Sequence, residues 1–457
     1  MDSIVTEERS KYSMGRRGRR WLGALFLTLS FLSAVSDAQQ SPLHLTLVGS
    51  LELALEQNEG LQMARRDLDK ARQQIREARA GALPQLDFSA NYTHNWQLPT
   101  FVFETPLGVQ EVEIGTPNEL VGTVNLRQPL YTSGKVGAAL AVARLFKAYS
   151  AEQLRAAQQS VVRSVDIAFY DLLLARELIR VSDQTQVRAR SNLEQAESLW
   201  SGGRTSSYDL LRAQVQVTQV RPDSIRAQGG RELAEIAFKN LLGIPLDHTV
   251  DIDGDFQRDS ALDLRELDSL LALGAARSPQ LRQARLQIDM LTQGVKIARS
   301  AARPSLELST IGQAQWQSDE ISLWNEEMRR SLNTGLSLKI PLFDGFRTGA
   351  RTAQARREEE KGRLAAARLL RLVEMQIHQS WLELQAAGAR LNAQLLLLEQ
   401  AEAGLKLAES RYARGFGTQL EVLDAQLLQT RAQTELAQAR RDRAVALVQL
   451  ETAVGTI

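Results

Sequence analysis

Few side chains in this 457-residue chain have the types and spacings that chemistry requires. Cysteine is absent, which excludes thiol catalysis and zinc–thiolate sites. No two of the four histidines have metal-ligand spacing, and no phosphate loop or nucleophile motif occurs. The segment 251–255 begins like a calcium loop but lacks the closing glutamate, so it is interpreted as a turn. The sequence argues against an enzyme and predicts no cofactor and no metal site.

Two carboxylates have a spacing that could serve a shared purpose. Glu421 and Asp424 stand three positions apart just beyond a glycine-rich turn, which places both on one face of a helix. Asp209 follows an earlier turn in the same way. Acidic residues are also common in the first turn of any helix, because they complement the helix dipole. The spacing alone therefore leaves a functional face and a solvated face both open.

The elements that carry these carboxylates are duplicated. The pattern that starts at Leu61 repeats at Leu281, and Pro129-Leu130-Tyr131 corresponds to Pro341-Leu342-Phe343. We predict a first structural repeat over 39–243 and a second over 277–457, each with a helix, two strands and a long helical hairpin. An equatorial linker over 244–276 separates them. The fold class is mainly α with β, as a duplicated unit.

The helices are too long for an ordinary globule. Residues 138–201 contain neither glycine nor proline, which predicts a helix of about 95 Å. Glycine-rich turns at 201–205 and 414–418 then join two antiparallel arms in each copy. Apolar residues at helical spacing are equally typical of a coiled coil, so a soluble or surface-attached periplasmic scaffold without channel activity remains the alternative.

Four segments alternate between apolar and polar residues, as the strands of a membrane barrel do. Four strands cannot close a barrel, since about eight is the smallest workable number. Other copies of the chain must supply the rest, and three copies would give twelve strands. Aromatic residues near the strand ends are predicted to lie at the membrane interface: Trp96, Trp316 and Trp324.

The first 38 residues are predicted to be a signal peptide. Basic residues at 16–20 precede an apolar run over 21–35, and small residues follow before Gln39. The 55 lysines and arginines nearly balance the 54 aspartates and glutamates, so no nucleic-acid partner is expected. The sequence predicts export from the cytoplasm.

From residue 45 to its end the chain resembles the TolC-like outer membrane efflux protein family. The segment from Arg411 to Thr418 followed by Glu421-Val422-Leu423-Asp424-Ala425-Gln426 carries this resemblance most strongly. It implies a homotrimer in which an α-barrel crosses the periplasm and continues into a 12-stranded β-barrel among outer-membrane lipid, with four strands per protomer. The resemblance further implies a passive exit duct docked to a periplasmic adaptor and an inner-membrane transporter. It does not name the exported substrate.

The same resemblance assigns residues at the periplasmic tip of the tube. It places Glu421 and Asp424 at the pore constriction, with Asp209 and Tyr412 in the closing network. Gly417 stands where the family has a gate arginine. Closure of the pore would then use Arg411, Arg414 or Arg204 instead, or the pore would close less tightly. The residues implied in adaptor docking lie in the two turns: Gly202, Gly203, Gly415, Phe416 and Gly417.

Overall fold

The computed structural model describes residues 43–105, 108–258, 266–320 and 327–456. The predicted signal peptide and Trp324 lie outside these ranges. Within them the protein is mainly helical, as the sequence predicts. No helix of the described ranges has an apolar stretch long enough to cross a bilayer.

The described helices form two sets of four with matching lengths. In each set the lengths are 11, 22, 67 and 36 residues. The first set comprises α1 (Leu47–Gln57), α2 (Glu59–Ala80), α3 (Lys135–Ser201) and α4 (Ser207–Leu242). The second comprises α5 (Leu267–Arg277), α6 (Pro279–Ser300), α7 (Arg347–Ala413) and α8 (Gln419–Val454). The helix α5, the counterpart of α1, therefore begins inside the range 244–276 that was predicted as a linker and ends one residue beyond it.

Four long strands form one antiparallel sheet. In chain order the described strands are β1 (Leu43–Leu45), β2 (Gln85–His94), β3 (Thr100–Thr105), β4 (Gly108–Glu113), β5 (Asn118–Tyr131), β6 (Val250–Ile252), β7 (Ser305–Ser318) and β8 (Arg329–Lys339). The large sheet has the order β2-β5-β7-β8, so β2 and β8 are its edges. These are the four segments in which the sequence alternates.

The pairing register separates an apolar face of this sheet from a polar face. One row across the four strands reads Phe88, Val124, Gly312 and Leu332. The next row, on the opposite face, reads Ser89, Thr123, Gln313 and Ser331. Successive residues of a strand point to opposite faces, so the period-2 pattern becomes two chemically distinct surfaces.

Two further strand pairs were not predicted from the sequence. The strands β1 and β6 pair in parallel over three residues each, too short for any periodicity to show. The hairpin of β3 and β4 carries apolar residues on both faces, so it does not alternate. The strand β2 stops at His94, although apolar and polar residues continue to alternate in the sequence as far as Leu98.

This apolar core lies where the middle of α3 and the C-terminal ends of α4 and α8 meet the short β1–β6 pair. Phe169 and Tyr170 of α3 pack there with Phe238 of α4, and each is fully buried. The fourth helix of each set ends at a glycine that packs against the last residue of the first helix of that set. Gly243 ends α4 with φ 72° and packs on Gln57, while Gly455 ends α8 with φ 77° and packs on Arg277. The duplication therefore extends to individual backbone contacts.

A buried ion cluster attaches the segment after β6 to the helices. Nη1 of Arg258 lies 2.9 Å from Oδ2 of Asp166 on α3, and its Nη2 lies 2.9 Å from Oε2 of Glu451 on α8. Burial raises the pKa of Asp166 to about 6, although the Arg258 charge opposes the rise. One guanidinium thus joins two helices to the equatorial segment.

Candidate pore constriction and hairpin tips

The two hairpin turns have the same backbone design. Gly203 and Gly415 adopt left-handed conformations, with φ of 70° and 79°. The N–H three residues beyond the last residue of each helix donates back to the final turn: Arg204 to the Leu199 carbonyl at 2.8 Å and Phe416 to the Arg411 carbonyl at 2.9 Å. This is a glycine-dependent helix stop that satisfies the last carbonyls, as the sequence predicts. Both tips are therefore well-defined turns.

Asp209 is held by the residues that cap its own helix. Its Oδ2 accepts hydrogen bonds from the hydroxyls of Thr205 at 3.0 Å and Ser206 at 2.8 Å. The Ser206 hydrogen bond is the largest of several causes that lower the pKa of Asp209. The carboxylate is thus fixed in its ionised form beside the first turn.

Tyr412 approaches Asp209 from the other hairpin. It packs against a small apolar cluster formed by Leu405, Ala408 and Val422. Burial raises the pKa of Tyr412, and a hydrogen bond with Thr205 opposes the rise. Thr205 therefore lies between the predicted partners Asp209 and Tyr412 and joins the two hairpins at the tip.

Glu421 has a local structural role as well as an exposed carboxylate. Its backbone N–H donates to Oγ1 of Thr418 at 3.3 Å, and that hydroxyl donates to Oε1 of Glu421 at 3.4 Å. Nε of Arg411 lies 3.9 Å from Oε2 of Glu421. Of the three arginines considered for closure, Arg411 is the one that reaches a predicted gate residue within the protomer. Arg204 and Arg414 form no ion pair with any described residue.

Asp424 is exposed one turn further along α8 and forms no ion pair with a described residue. It borders a groove of about 530 Å³ between α4 and α8 that also contains Arg188, Arg212 and Asp223. Asp424 is therefore the less compensated of the two predicted constriction residues. The described residues contain no cluster of three or more potential metal ligands, at this groove or elsewhere.

A polar seam beside this groove was not predicted from the sequence. Nη1 of Arg188 donates to Oε1 of Gln429 at 2.5 Å, and Nδ2 of Asn192 donates to Oε1 of Gln426 at 2.7 Å. These bonds connect α3 to α8 closer to the tip, whereas apolar side chains connect the same two helices in the core. The signal was available in the sequence, because Gln419, Gln426 and Gln433 recur every seven residues at positions that would otherwise be apolar.

Gly417 is closely packed against the end of α7. A Cβ placed there would lie 3.1 Å from the backbone nitrogen of Tyr412 and 3.2 Å from Cβ of Arg411. Any side chain, arginine included, would push against the turn, which gives a physical reason for glycine here.

Replacing Gly417 with alanine is therefore expected to loosen this tip. Strain of about 1–3 kcal/mol would raise the local opening probability, so hydrogen exchange of amides 411–418 should accelerate by roughly tenfold or more. Hydrogen–deuterium exchange with mass spectrometry measures this directly. Gly404→Ala is the matched control, because a Cβ at Gly404 in α7 meets nothing within 4 Å. Equal exchange in the two variants would contradict the account of the turn.

Apolar side chains stand out at both tips and beside the sheet. Phe416 is 78% exposed and Trp200 is 51% exposed, although hairpin tips are usually polar. Trp96 lies just past the end of β2, and Trp316 lies on the apolar face of β7 opposite Leu120. Their place at a membrane interface stays a prediction.

Comparison with known proteins places the chain in one family. The sequence profile described as "Outer membrane efflux protein" matches residues 50–244 and 270–456. The alkaline protease secretion protein AprF of Pseudomonas aeruginosa is 24% identical, over 97% of this chain and 89% of its own. The toluene efflux pump outer membrane protein TtgI of Pseudomonas putida is 24% identical, over 93% of this chain and 88% of its own.

Solved structures of channels have the same fold. The CmeC outer membrane channel of Campylobacter jejuni superposes with a TM-score of 0.75 at 16% identity, covering 90% of this chain and 85% of that one. Together with a profile that matches both halves of the sequence, this fixes the classification. The chain belongs to the outer membrane efflux protein family.

Proposed function

We propose that this protein is the outer-membrane exit duct of a tripartite efflux or secretion system. Three copies form a passive channel whose β-barrel lies in the outer membrane and whose α-barrel extends through the periplasm. A periplasmic adaptor docks at the hairpin tips and connects the duct to an inner-membrane transporter. The relatives' names cover both protease secretion and toluene efflux, so family membership leaves the cargo open.

The four-stranded sheet is the observation that carries this proposal. Its apolar face is strongly exposed in the single copy: Phe88 is 73% exposed, Leu332 76% and Leu336 64%. Such a face requires lipid or a partner, whereas the opposite polar face suits a water-filled lumen. The edge strands β2 and β8 have free backbone groups on their outer sides. Pairing of β8 with β2 of the next copy would satisfy them, and three copies close a ring of twelve strands.

The long helices support the same assembly. Exposed apolar residues follow heptad spacing over the first turns of α4, at Tyr208, Leu211 and Val215. A seven-residue apolar repeat is the seam by which long helices pack together. In a closed helical barrel this stripe would be covered by the neighbouring copy.

At the tip, threefold symmetry would convert single carboxylates into rings. Glu421 and Asp424 would give two stacked rings of three negative charges each, with Asp209 and Tyr412 holding the hairpins together nearby. The exposed Trp200 and Phe416 beside the turn glycines support docking of an adaptor at this end.

Disulfide trapping tests the ring of strands. Because the chain has no natural cysteine, only the introduced cysteines can form disulfides. One cysteine on the polar face of β2 is combined with one on the polar face of β8. We expect some combinations to give covalent species of two and three protomer masses and nothing larger, because antiparallel neighbours bring Cβ atoms within about 5.5 Å. The positions to combine are Asp87, Ser89, Asn91 and Thr93 with Arg329, Ser331, Asn333 and Ser337.

Thr123→Cys with Gln313→Cys is the matched control, since these residues are direct neighbours on β5 and β7 of one copy. It should form its disulfide within the protomer and leave the mass unchanged. Oxidation of the control with no intermolecular bond in any combination, or a ladder extending beyond three, would contradict the closed trimer.

A further inference from the structure

The apolar face of the sheet contains an open trough that the duct function does not use. Its floor is one row of the register, in which Ala90, Gly122 and Ala314 lie side by side on β2, β5 and β7. Larger side chains stand on both sides, among them Phe88, Leu120, Trp316 and Leu332, and the groove between them measures about 640 Å³.

The small residues of this trough are not explained by the backbone or by packing. Gly122 and Gly312 both border the groove, and neither has a positive φ. A Cβ at Gly122 would meet its nearest atoms at 3.8 Å, and one at Gly312 at 3.7 Å, which are ordinary contact distances. Glycine inside a strand costs conformational entropy, and it often marks a place where a ligand approaches closely. The sheet could hold larger residues here, yet the space is left open.

A positive charge lies at the end of the trough. Arg330 of β8 pairs with Ala314 in the register, so it continues the row of small residues onto the edge strand. The register places its side chain on the apolar face, where it is exposed and forms no ion pair or hydrogen bond with a described residue. A guanidinium on a lipid-facing surface is unfavourable unless an anion accompanies it, and its planar fork suits the oxygens of a phosphate.

The position of Arg330 in the strand indicates which lipid leaflet it meets. The strand β8 begins at Arg329 on the side away from the helices. If the helices extend into the periplasm, as the proposed function states, this end of the barrel lies at the outer leaflet. The phosphorylated amphiphile of that leaflet is a glycolipid with several acyl chains.

We propose that this face is a binding site for a phosphorylated glycolipid of the lipid A class. One acyl chain lies along the trough over Gly122, and a phosphate binds Arg330. The inference rests on the proposed function, because it requires the sheet to be in the outer membrane. It adds a specific lipid partner that neither the channel nor its docking requires.

Native mass spectrometry of the detergent-purified protein with added lipid A tests this site. Arg330→Gln and Gly122→Leu should each weaken lipid A binding by at least about tenfold. The first removes the bidentate contacts to phosphate, and the second fills the apolar trough that would hold the acyl chain. Arg329→Gln is the matched control: it removes the same charge one residue away on the polar face, and its binding should equal that of the unmodified chain. Arg330→Gln alters no packed side chain, so it decides the test alone if Gly122→Leu does not fold.

Equal weakening by Arg329→Gln and Arg330→Gln would overturn the site, because it would show only general charge attraction. Phosphatidylglycerol bound as tightly, with the same dependence on Arg330, would overturn the assignment to glycolipid. Excess inorganic phosphate should fail to displace lipid A, and displacement would show an anion site without the trough. A trimer that binds no lipid A refutes this inference alone, whereas a chain that forms no trimer refutes the proposed function.

Discussion

Replacing Glu421 and Asp424 together with glutamine and asparagine should remove the cation preference of the channel. Two stacked rings of three carboxylates would set a local potential of about 1 kT, which would concentrate cations about sevenfold over anions. We expect the cation-to-anion permeability ratio to fall by roughly five- to tenfold when these charges are neutralised. The reversal potential in a bilayer with unequal salt across it measures the ratio.

The single variants should differ. Asp424→Asn is expected to have the larger effect, because Asp424 pairs with no described cation, whereas Arg411 partly compensates Glu421. Asp69→Asn on α2 is the control, since Arg72 already pairs with that carboxylate at 2.7 Å. An unchanged permeability ratio in the double variant would remove both residues from the constriction while leaving the duct itself intact.

Replacing Arg258 with glutamine should destabilise the protein strongly at neutral pH. The change removes the guanidinium that pairs with the buried carboxylates of Asp166 and Glu451, and breaking such a cluster costs about 3–5 kcal/mol. Thermal unfolding followed by circular dichroism should show a markedly lower midpoint. The matched control is Arg226→Gln, which removes an exposed pair with Asp223 and should cost no more than about 1 kcal/mol.

The loss should also depend on pH. The folded-state pKa of Asp166 is about 6, raised above its ordinary value of 3.8. A carboxyl with a raised pKa favours the folded state when protonated, and this contribution is lost as the pH rises from about 4 through 6. Without Arg258 the pKa of Asp166 should rise further, so the variant should lose less stability near pH 5 than near pH 7.5. An equal or larger loss at the lower pH would contradict this view of the cluster.

Long periodic elements could be predicted from the sequence because their signals are repeated many times. The run from 138 to 201 is free of glycine and proline, and it becomes one uninterrupted helix, α3. The alternating segments become the strands of a single sheet whose register keeps one face apolar. Each residue in such an element adds to the same pattern, so single exceptions matter little.

Contacts between distant and irregular segments could not be predicted in this way. Arg258 lies 92 positions from Asp166 and 193 from Glu451, and no periodic pattern connects them. The strands β1 and β6 have three residues each and depend on the surrounding core for their pairing. At the tip, the family resemblance shows that glycine stands at position 417 in place of an arginine. Only the structure shows how closely Arg411 and Tyr412 approach Gly417.

The proposed exit duct requires this chain to form a channel through a membrane. Single-channel recording of the purified, detergent-extracted protein in a planar bilayer with unequal salt tests it most directly. We predict a small, stable, cation-selective conductance carried by a particle of three protomer masses. A water-soluble, elongated helical particle that gives no conductance would contradict the duct and favour a periplasmic scaffold instead.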